Sequence, residues 1–224
     1  LAHPIRSFVG ALTTPMAKEG LAKQGYHHGN LRQALVTAAL ELIAVRGPQG
    51  FTLSEAAKVA GVTPAAVYRH FAGREDLIAE CARQGYAIFA DLMEHAWNDG
   101  QPSALAAFGA TGRAYLAFAK KFPGHYMAMF ESGLSPNRSP ELAAGAARAE
   151  AVTLKATQAL STHIPESRRP PASMVAAHVR ALSHGVVELY ARGTPGGQSP
   201  FSPEELLESG IGVYLRGLGL IPPD

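Results

Sequence analysis

The stretch Thr63-Pro64-Ala65-Ala66-Val67-Tyr68-Arg69-His70-Phe71 gathers a hydroxyl, a phenol, a guanidinium and an imidazole around small residues. These groups donate hydrogen bonds and carry positive charge, a set suited to gripping a phosphate backbone and touching base edges. Thr63 is placed to bond a base or phosphate, and Arg69 a phosphate or a guanine. Pro64, Ala65 and Ala66 are small enough to allow close approach, and the alanines suit contact with a thymine methyl. Bond-breaking chemistry has no counterpart in the chain. There is no Walker loop, Rossmann glycine fingerprint, nucleophile elbow or His-Glu-x-x-His.

Such a stretch must be held by two short helices meeting at a turn. Thr52 and Glu55 have capping-box spacing, which starts one helix by satisfying its first backbone N–H groups. Leu53, Ala56, Ala57 and Ala60 give that helix an apolar side, and Gly61 stops it. Thr63 then takes the N-cap and Pro64 the first helical position of the second helix. Val67 and Phe71 turn inward, leaving Tyr68, Arg69 and His70 outward. This is a helix-turn-helix layout, in which the first helix braces across the DNA backbone and the second lies in the major groove. The helix N-terminus at Thr52 is itself suited to meet a phosphate.

Upstream runs Tyr26-His-His-Gly-Asn-Leu31-Arg-Gln-Ala-Leu35-Val-Thr-Ala-Ala-Leu-Glu-Leu42-Ile-Ala-Val-Arg46-Gly47. Phe51-Thr-Leu opens the motif, and Tyr68-Arg-His-Phe71-Ala-Gly-Arg74-Glu-Asp-Leu77 closes it. From about Tyr26 to about Ile78 the chain closely resembles the TetR/AcrR family of bacterial transcriptional regulators. The resemblance implies an all-α fold of about nine helices. It would comprise an N-terminal three-helix helix-turn-helix DNA-binding domain and a C-terminal helical ligand-binding and dimerisation domain. By the same resemblance Tyr68 and His70 match phosphate-holding positions, and Arg74 stands where the family often has a lysine. Leu182-Ser-His184-Gly185-Val-Val-Glu-Leu-Tyr190-Ala-Arg-Gly193 is similar to the His-Gly helix of the C-terminal domain type called WHG. It departs from that type in having Arg180 and Ala181 where a tryptophan usually stands.

The net charge of +2 is unevenly divided. Residues 17–74 carry seven Lys/Arg against three Asp/Glu, and residues 75–224 twelve against fifteen. The positive excess thus lies with the motif, as a DNA partner requires, although solvated helices often carry as much. The single cysteine, Cys81, excludes an intramolecular disulfide and fits a cytoplasmic protein; its apolar setting reads as a buried small hydrophobe rather than a redox sensor. No segment is long and apolar enough to predict a membrane span, and no signal peptide is evident. Met16 is a candidate native start, with Leu1–Pro15 upstream of it.

The expected organisation is a flexible arm over residues 1–24, a DNA-binding domain over 25–73, a connecting helix over 74–98 and a ligand-binding and dimerisation domain over 99–224. Lys18 and Lys23 in the arm either brush phosphates or are merely solvated. Helices are expected over Asn30–Arg46, Arg74–Trp97, Ser103–Phe122, Pro123–Glu131, Glu141–Thr162, Ala172–Ala191 and Pro203–Leu218, besides the two of the motif.

Tyr115, Phe118, Phe122, Tyr126, Met127 and Phe130 cluster over two consecutive helices, either as a core stripe or as the lining of an apolar cavity. His184 reads as a polar pocket group or a satisfied core or interface histidine. The nine histidines show no metal-site spacing, so no metal or cofactor is expected. The chain is thus expected to be a non-enzymatic repressor, binding a palindromic double-stranded operator as a homodimer and released by a small, apolar effector. An activator or a ligand-independent regulator of the same fold is the alternative. A helical binding module or enzyme with a vestigial head is a more distant one.

Overall fold

The computed structural model describes residues 28–192 and 199–221. The expected arm, the Met16 start and the Gly193-Thr-Pro-Gly-Gly break lie outside the described residues. Among the described residues every regular element is helical and none is a strand. The α-helices are α1 (His28–Arg46), α2 (Leu53–Val59), α3 (Pro64–Val67), α4 (Arg74–Trp97), α5 (Ala104–Lys121), α6 (Pro123–Phe130), α7 (Pro140–Leu160), α8 (Ala172–Val186) and α9 (Pro203–Gly217). No helix among them is long and apolar enough to cross a membrane.

Leu35, Val36, Ala39, Leu42 and Ile43 form the buried face of α1, which Gly47 ends at φ +79°. That face packs against Phe51, Leu53, Val67 and Phe71 to make a small head. The first turns of α4 bring Leu77, Ile78 and Cys81 into the same core, and its later turns carry Tyr86, Phe89, Met93 and Trp97 into the C-terminal domain. One continuous helix of about 36 Å therefore serves both domains.

Helix α6 is the second tie. It lies against α1 and α4, and a Cβ added at Gly124 would come 2.4 Å from the Leu40 carbonyl oxygen. On α4, a Cβ at Gly85 would come 2.6 Å from the Met129 sulfur. Two glycines thus let α6 sit closer than side chains would allow. Helix α7 runs along α4 in the same direction, with Gly145 against Tyr86 and Arg148 bonded to Asp91 and Glu94.

One expected helix, Ala172–Ala191, is differently built. Helix α8 ends at Val186 and widens into a π turn over Val187–Ala191, where the Arg192 N–H donates to the Val187 carbonyl at 3.2 Å. The wider turn carries Arg192 to α6, where it pairs with Glu131 and lies 5.6 Å from the centre of the Tyr126 ring.

The head and α4 are also joined by a nearly buried carboxylate. Glu80 is 7% exposed and accepts from both nitrogens of the Arg83 fork at 2.9 and 2.7 Å, from Arg32 at 3.0 Å and from Gln84 at 2.9 Å. Burial by itself would raise this carboxyl, but the hydrogen bonds from Arg83, Arg32 and Gln84 outweigh it and bring it from 4.5 down to about 2. The folded pKa is depressed, so this contribution to stability is fully present above pH 4.5 and is lost as pH falls towards 2. Thermal unfolding followed across that window should show Tm falling with pH. Glu80→Gln should flatten that part of the profile, and an unchanged profile in the variant would remove Glu80 as its source.

Cys81, next in the chain, is fully buried, with its thiol 3.9 Å from the Val36 carbonyl oxygen. Burial pushes the thiol up to about 12, so it stays protonated and unreactive.

Candidate nucleic-acid interface and helical cavity

The start of α2 is built as its spacing requires. The Glu55 N–H donates to Thr52 Oγ1 at 3.2 Å and the Thr52 N–H donates to Glu55 Oε2 at 2.8 Å. Arg46 binds the other Glu55 oxygen at 2.7 Å and, together with Thr52, holds this carboxyl below its usual range. The helix closes on Gly61 at φ +71°, with the Val62 N–H donating to the Ala57 carbonyl and the Gly61 N–H to that of Lys58. That pair of bonds is a Schellman stop, and it turns the chain sharply into α3.

Thr63 takes the N-cap position of α3, but its side chain makes no capping bond. Thr63, Pro64 and Ala65 are exposed and Ala66 is half-buried, while Val67 and Phe71 are buried. Tyr68 is 62% exposed, Arg69 is exposed and His70 is half-buried. The structure therefore leaves Thr63, Pro64, Ala65, Tyr68 and Arg69 exposed, with Val67 and Phe71 buried beneath them.

Arg74 is half-buried at the start of α4 and faces the loop before α2. Its guanidinium donates to the Gln49 carbonyl at 3.2 Å, the Phe51 carbonyl at 3.3 Å and Gln49 Oε1 at 2.7 Å. Thr52, Ser54, Tyr68, Gly73 and Arg74 line one open concavity. The N-terminal ends of α2 and α4 both meet it, so it combines helix-end N–H groups, a phenol and a guanidinium. That combination suits a phosphate. Glu75, Asp76 and Arg138 line it too, with Glu75 paired to Arg138 and Asp76 accepting from the Ala72 N–H. Gln49 was not among the sequence-derived residues. An isolated glutamine after Gly-Pro carries no pattern that would mark it.

The C-terminal domain contains a cavity of about 490 Å³ bounded by α4, α5, α7, α8, α9 and the end of α6. Of the residues expected to line it, Tyr115 and Phe130 do. Phe118, Phe122, Tyr126, Met127 and His184 are not on its wall and take the core alternative instead. Phe118 is buried against Phe89 and Phe122, whose ring centres lie 5.0 and 5.6 Å away. Met127 points to the seam with α1, where it is near Gly47. Tyr126, fully buried, stacks on His184 at 5.7 Å and places its hydroxyl 2.8 Å from His184 Nδ1. Tyr115 Oη lies 3.1 Å from the same nitrogen, and burial raises both phenols. His184 thus stands behind the cavity, anchoring a wall residue.

The walls missed by sequence reasoning come from α4 (Tyr86, Phe89, Met93), α7 and α9 (Leu207, Ile211, Leu215). On α7 the lining positions 143, 146, 147 and 149 are all alanine, so small side chains stand where larger ones would have filled the space. Thr111 and Ser183 direct their hydroxyls to the Phe108 and Val179 carbonyls, respectively, leaving the interior chiefly apolar. The charged lining residues are the exposed pairs Arg113–Glu208 and Arg180–Glu150, and the exposed Glu204. Among the described residues no group of His, Cys, Asp and Glu is placed to hold a metal ion.

With this geometry established, two family models match the chain. Residues 35–81 match "Bacterial regulatory proteins, tetR family", and residues 108–214 match "Tetracyclin repressor-like, C-terminal domain". Together they span more than half of the chain, and the second includes the His184-Gly185 segment. The HTH-type transcriptional regulator BetI of Rhizobium meliloti (strain 1021) is 42% identical over 52 residues, 23% of this chain. The matched stretch spans only about a quarter (26%) of that relative's length. A solved protein of unknown function from Rhodococcus sp. RHA1 superposes with a TM-score of 0.71 at 25% identity, covering 87% of this chain and 98% of its own. AibR, solved in complex with isovaleryl coenzyme A and operator DNA, gives a TM-score of 0.59 at 18% identity, covering 82% of this chain and 97% of its own. That likeness is one of fold.

Proposed function

We propose that this chain, which belongs to the TetR family of bacterial regulatory proteins, is a cytoplasmic, non-enzymatic repressor that binds a palindromic operator as a homodimer and releases it on binding a small apolar effector. The observation that carries the reading is the α2–α3 pair. Its buried Val67 and Phe71 leave Thr63–Ala66, Tyr68 and Arg69 outward beside Arg74, on a head joined directly to a domain with an apolar cavity. Thr63, Pro64, Ala65 and Ala66 would meet base edges, with Arg69 at a phosphate or guanine. Thr52, Tyr68, His70 and Arg74 would hold phosphates.

The dimer is supported by apolar side chains that a single chain leaves in water. On α8 and the π turn these are Met174, Leu182 and Leu189, 44, 38 and 51% exposed; on α9 it is Val213, 66% exposed. Gly185 and Gly210 have open space where a Cβ would stand, which suits close approach of another helix. Two heads held across such an interface would address successive major grooves. An effector in the cavity would act only through its different affinity for the operator-binding and released arrangements. The AibR complex supports the idea that this fold accommodates both a small molecule and operator DNA.

The test is a salt-dependent titration against DNA from upstream of the gene, or against sequences selected from random DNA. Tight binding at two protomers per palindrome is expected. Arg74→Ala should weaken it and reduce the salt slope by about 1, the signature of one lost ionic phosphate contact. Tyr68→Ala should weaken it on every operator variant alike. Unchanged affinity in both would remove the phosphate assignments.

A further inference from the structure

We propose that Gln49 is a positioning residue that ties the guanidinium of Arg74, on the DNA face, to the C-terminal domain at Ser132; the inference rests on the DNA-binding reading above. Gln49 lies in the loop between α1 and α2, and its single side-chain amide is engaged at both ends. The oxygen accepts from Arg74 Nη2 at 2.7 Å, and the nitrogen donates to the Ser132 carbonyl at 3.2 Å, 83 positions along the chain. The amide's orientation is fixed by these partners. Reversing it would put an NH₂ against a guanidinium and an oxygen against a carbonyl.

Both ends reach something that matters. Every described bond from the Arg74 guanidinium goes to residues 49–51, using Nη1 and one side of Nη2. Nε and the remaining Nη2 N–H are left for a phosphate, since guanidinium has five donors in a rigid fork. The Gln49 amide, with the Gln49 and Phe51 carbonyls, thereby sets the direction in which that fork points.

At the other end Ser132 is buried and follows α6 by two residues. Its hydroxyl accepts from the Leu134 N–H at 3.2 Å, which fixes the loop locally. Phe130, also two residues away, is a wall of the cavity. Neighbouring Glu131 is held by Arg192 from the π turn, whose guanidinium also covers Tyr126. A change at the cavity wall that moves Ser132 acts on the amide that aims Arg74. The residue type follows from the task. A carboxylate would accept from Arg74 but repel the Ser132 carbonyl, and an ammonium would do the reverse; a neutral amide of this length serves both.

The test needs only DNA, because coupling between sites is reciprocal: operator binding must be felt at Ser132 as cavity occupancy is felt at Arg74. Operators selected from random DNA would be titrated with the unmodified full chain, Gln49→Met, Arg74→Ala and the double variant. Gln49→Met should weaken binding about two- to tenfold, the range of one ordinary hydrogen bond, and should cost nothing further once Arg74 is alanine. In the same samples, amide hydrogen exchange over residues 131–135 should change on operator binding in the unmodified chain. It should not change in Gln49→Met or in Gln49→Glu, which keeps an acceptor for Arg74 but cannot donate to Ser132. Gln49 is exposed, so these variants should unfold in one transition with Tm lowered by no more than about 2–4 °C, separating the effect from misfolding. Additive losses from Gln49→Met and Arg74→Ala, or an undiminished exchange response in Gln49→Glu, would overturn the proposal. Failure of the unmodified chain to retrieve any sequence would instead bring down the DNA-binding reading, and this inference with it.

Discussion

Val213→Glu is expected to turn the proposed dimer into a monomer and to lower operator affinity by about 10²–10⁴-fold, the advantage that linking two binding modules confers. Val213 is 66% exposed on α9, so a glutamate there meets water in an isolated chain and the fold should be indifferent to it. At a two-fold interface each patch faces its own copy, and the substitution brings two like charges into a surface that excludes water. The neighbouring open positions at Gly185 and Gly210 leave no bulk to hold the partner helices apart. Sedimentation velocity and operator titration on the same preparation check both halves. A variant that remains dimeric at micromolar concentration would move the interface elsewhere.

Phe71→Ala should cost about 3–5 kcal/mol and abolish operator binding by loosening the head. Helix α3 has only four residues, far below the length at which a helix persists in water by itself. It is held by Val67, fully buried, and by the buried Phe71 just past its end. The Phe71 ring also lies under Arg32, 5.1 Å from its centre, so its removal exposes the head where α1 and α4 meet. Against a typical total of about 5–15 kcal/mol the loss is large. Denaturant unfolding should report it as a lower midpoint, and hydrogen exchange should place the lost protection in α1–α3. An intact midpoint would show that α3 is held by other contacts.

Much of the architecture could be read locally because the ends of helices are set by near neighbours. Thr52 and Glu55 cap each other across three positions, and Gly61 supplies the positive φ that ends α2. Helix α4 runs over Arg74–Trp97 as its flanking turn residues imply. The cavity was far less legible, since its shape depends on which helices meet. The aromatic cluster of α5 and α6 was visible, but Gly124 allows α6 to sit on the backbone of α1, which diverts Met127 into that seam. The walls instead come from α4, α9 and the alanines of α7, whose contribution is the space they fail to fill. Gln49 shows the same limit at a single residue, because its role is defined by a carbonyl 83 positions away.

The sealed thiol of Cys81 has a practical consequence for measuring the motion on which repression would depend. It is the chain's single cysteine, and burial keeps it in the unreactive protonated form. A cysteine introduced at Val45, which is 83% exposed near the end of α1, would therefore take a thiol-directed spin label alone, with the native residue left in place. In a symmetric pair of chains the two labels would report the distance between heads directly, with and without operator.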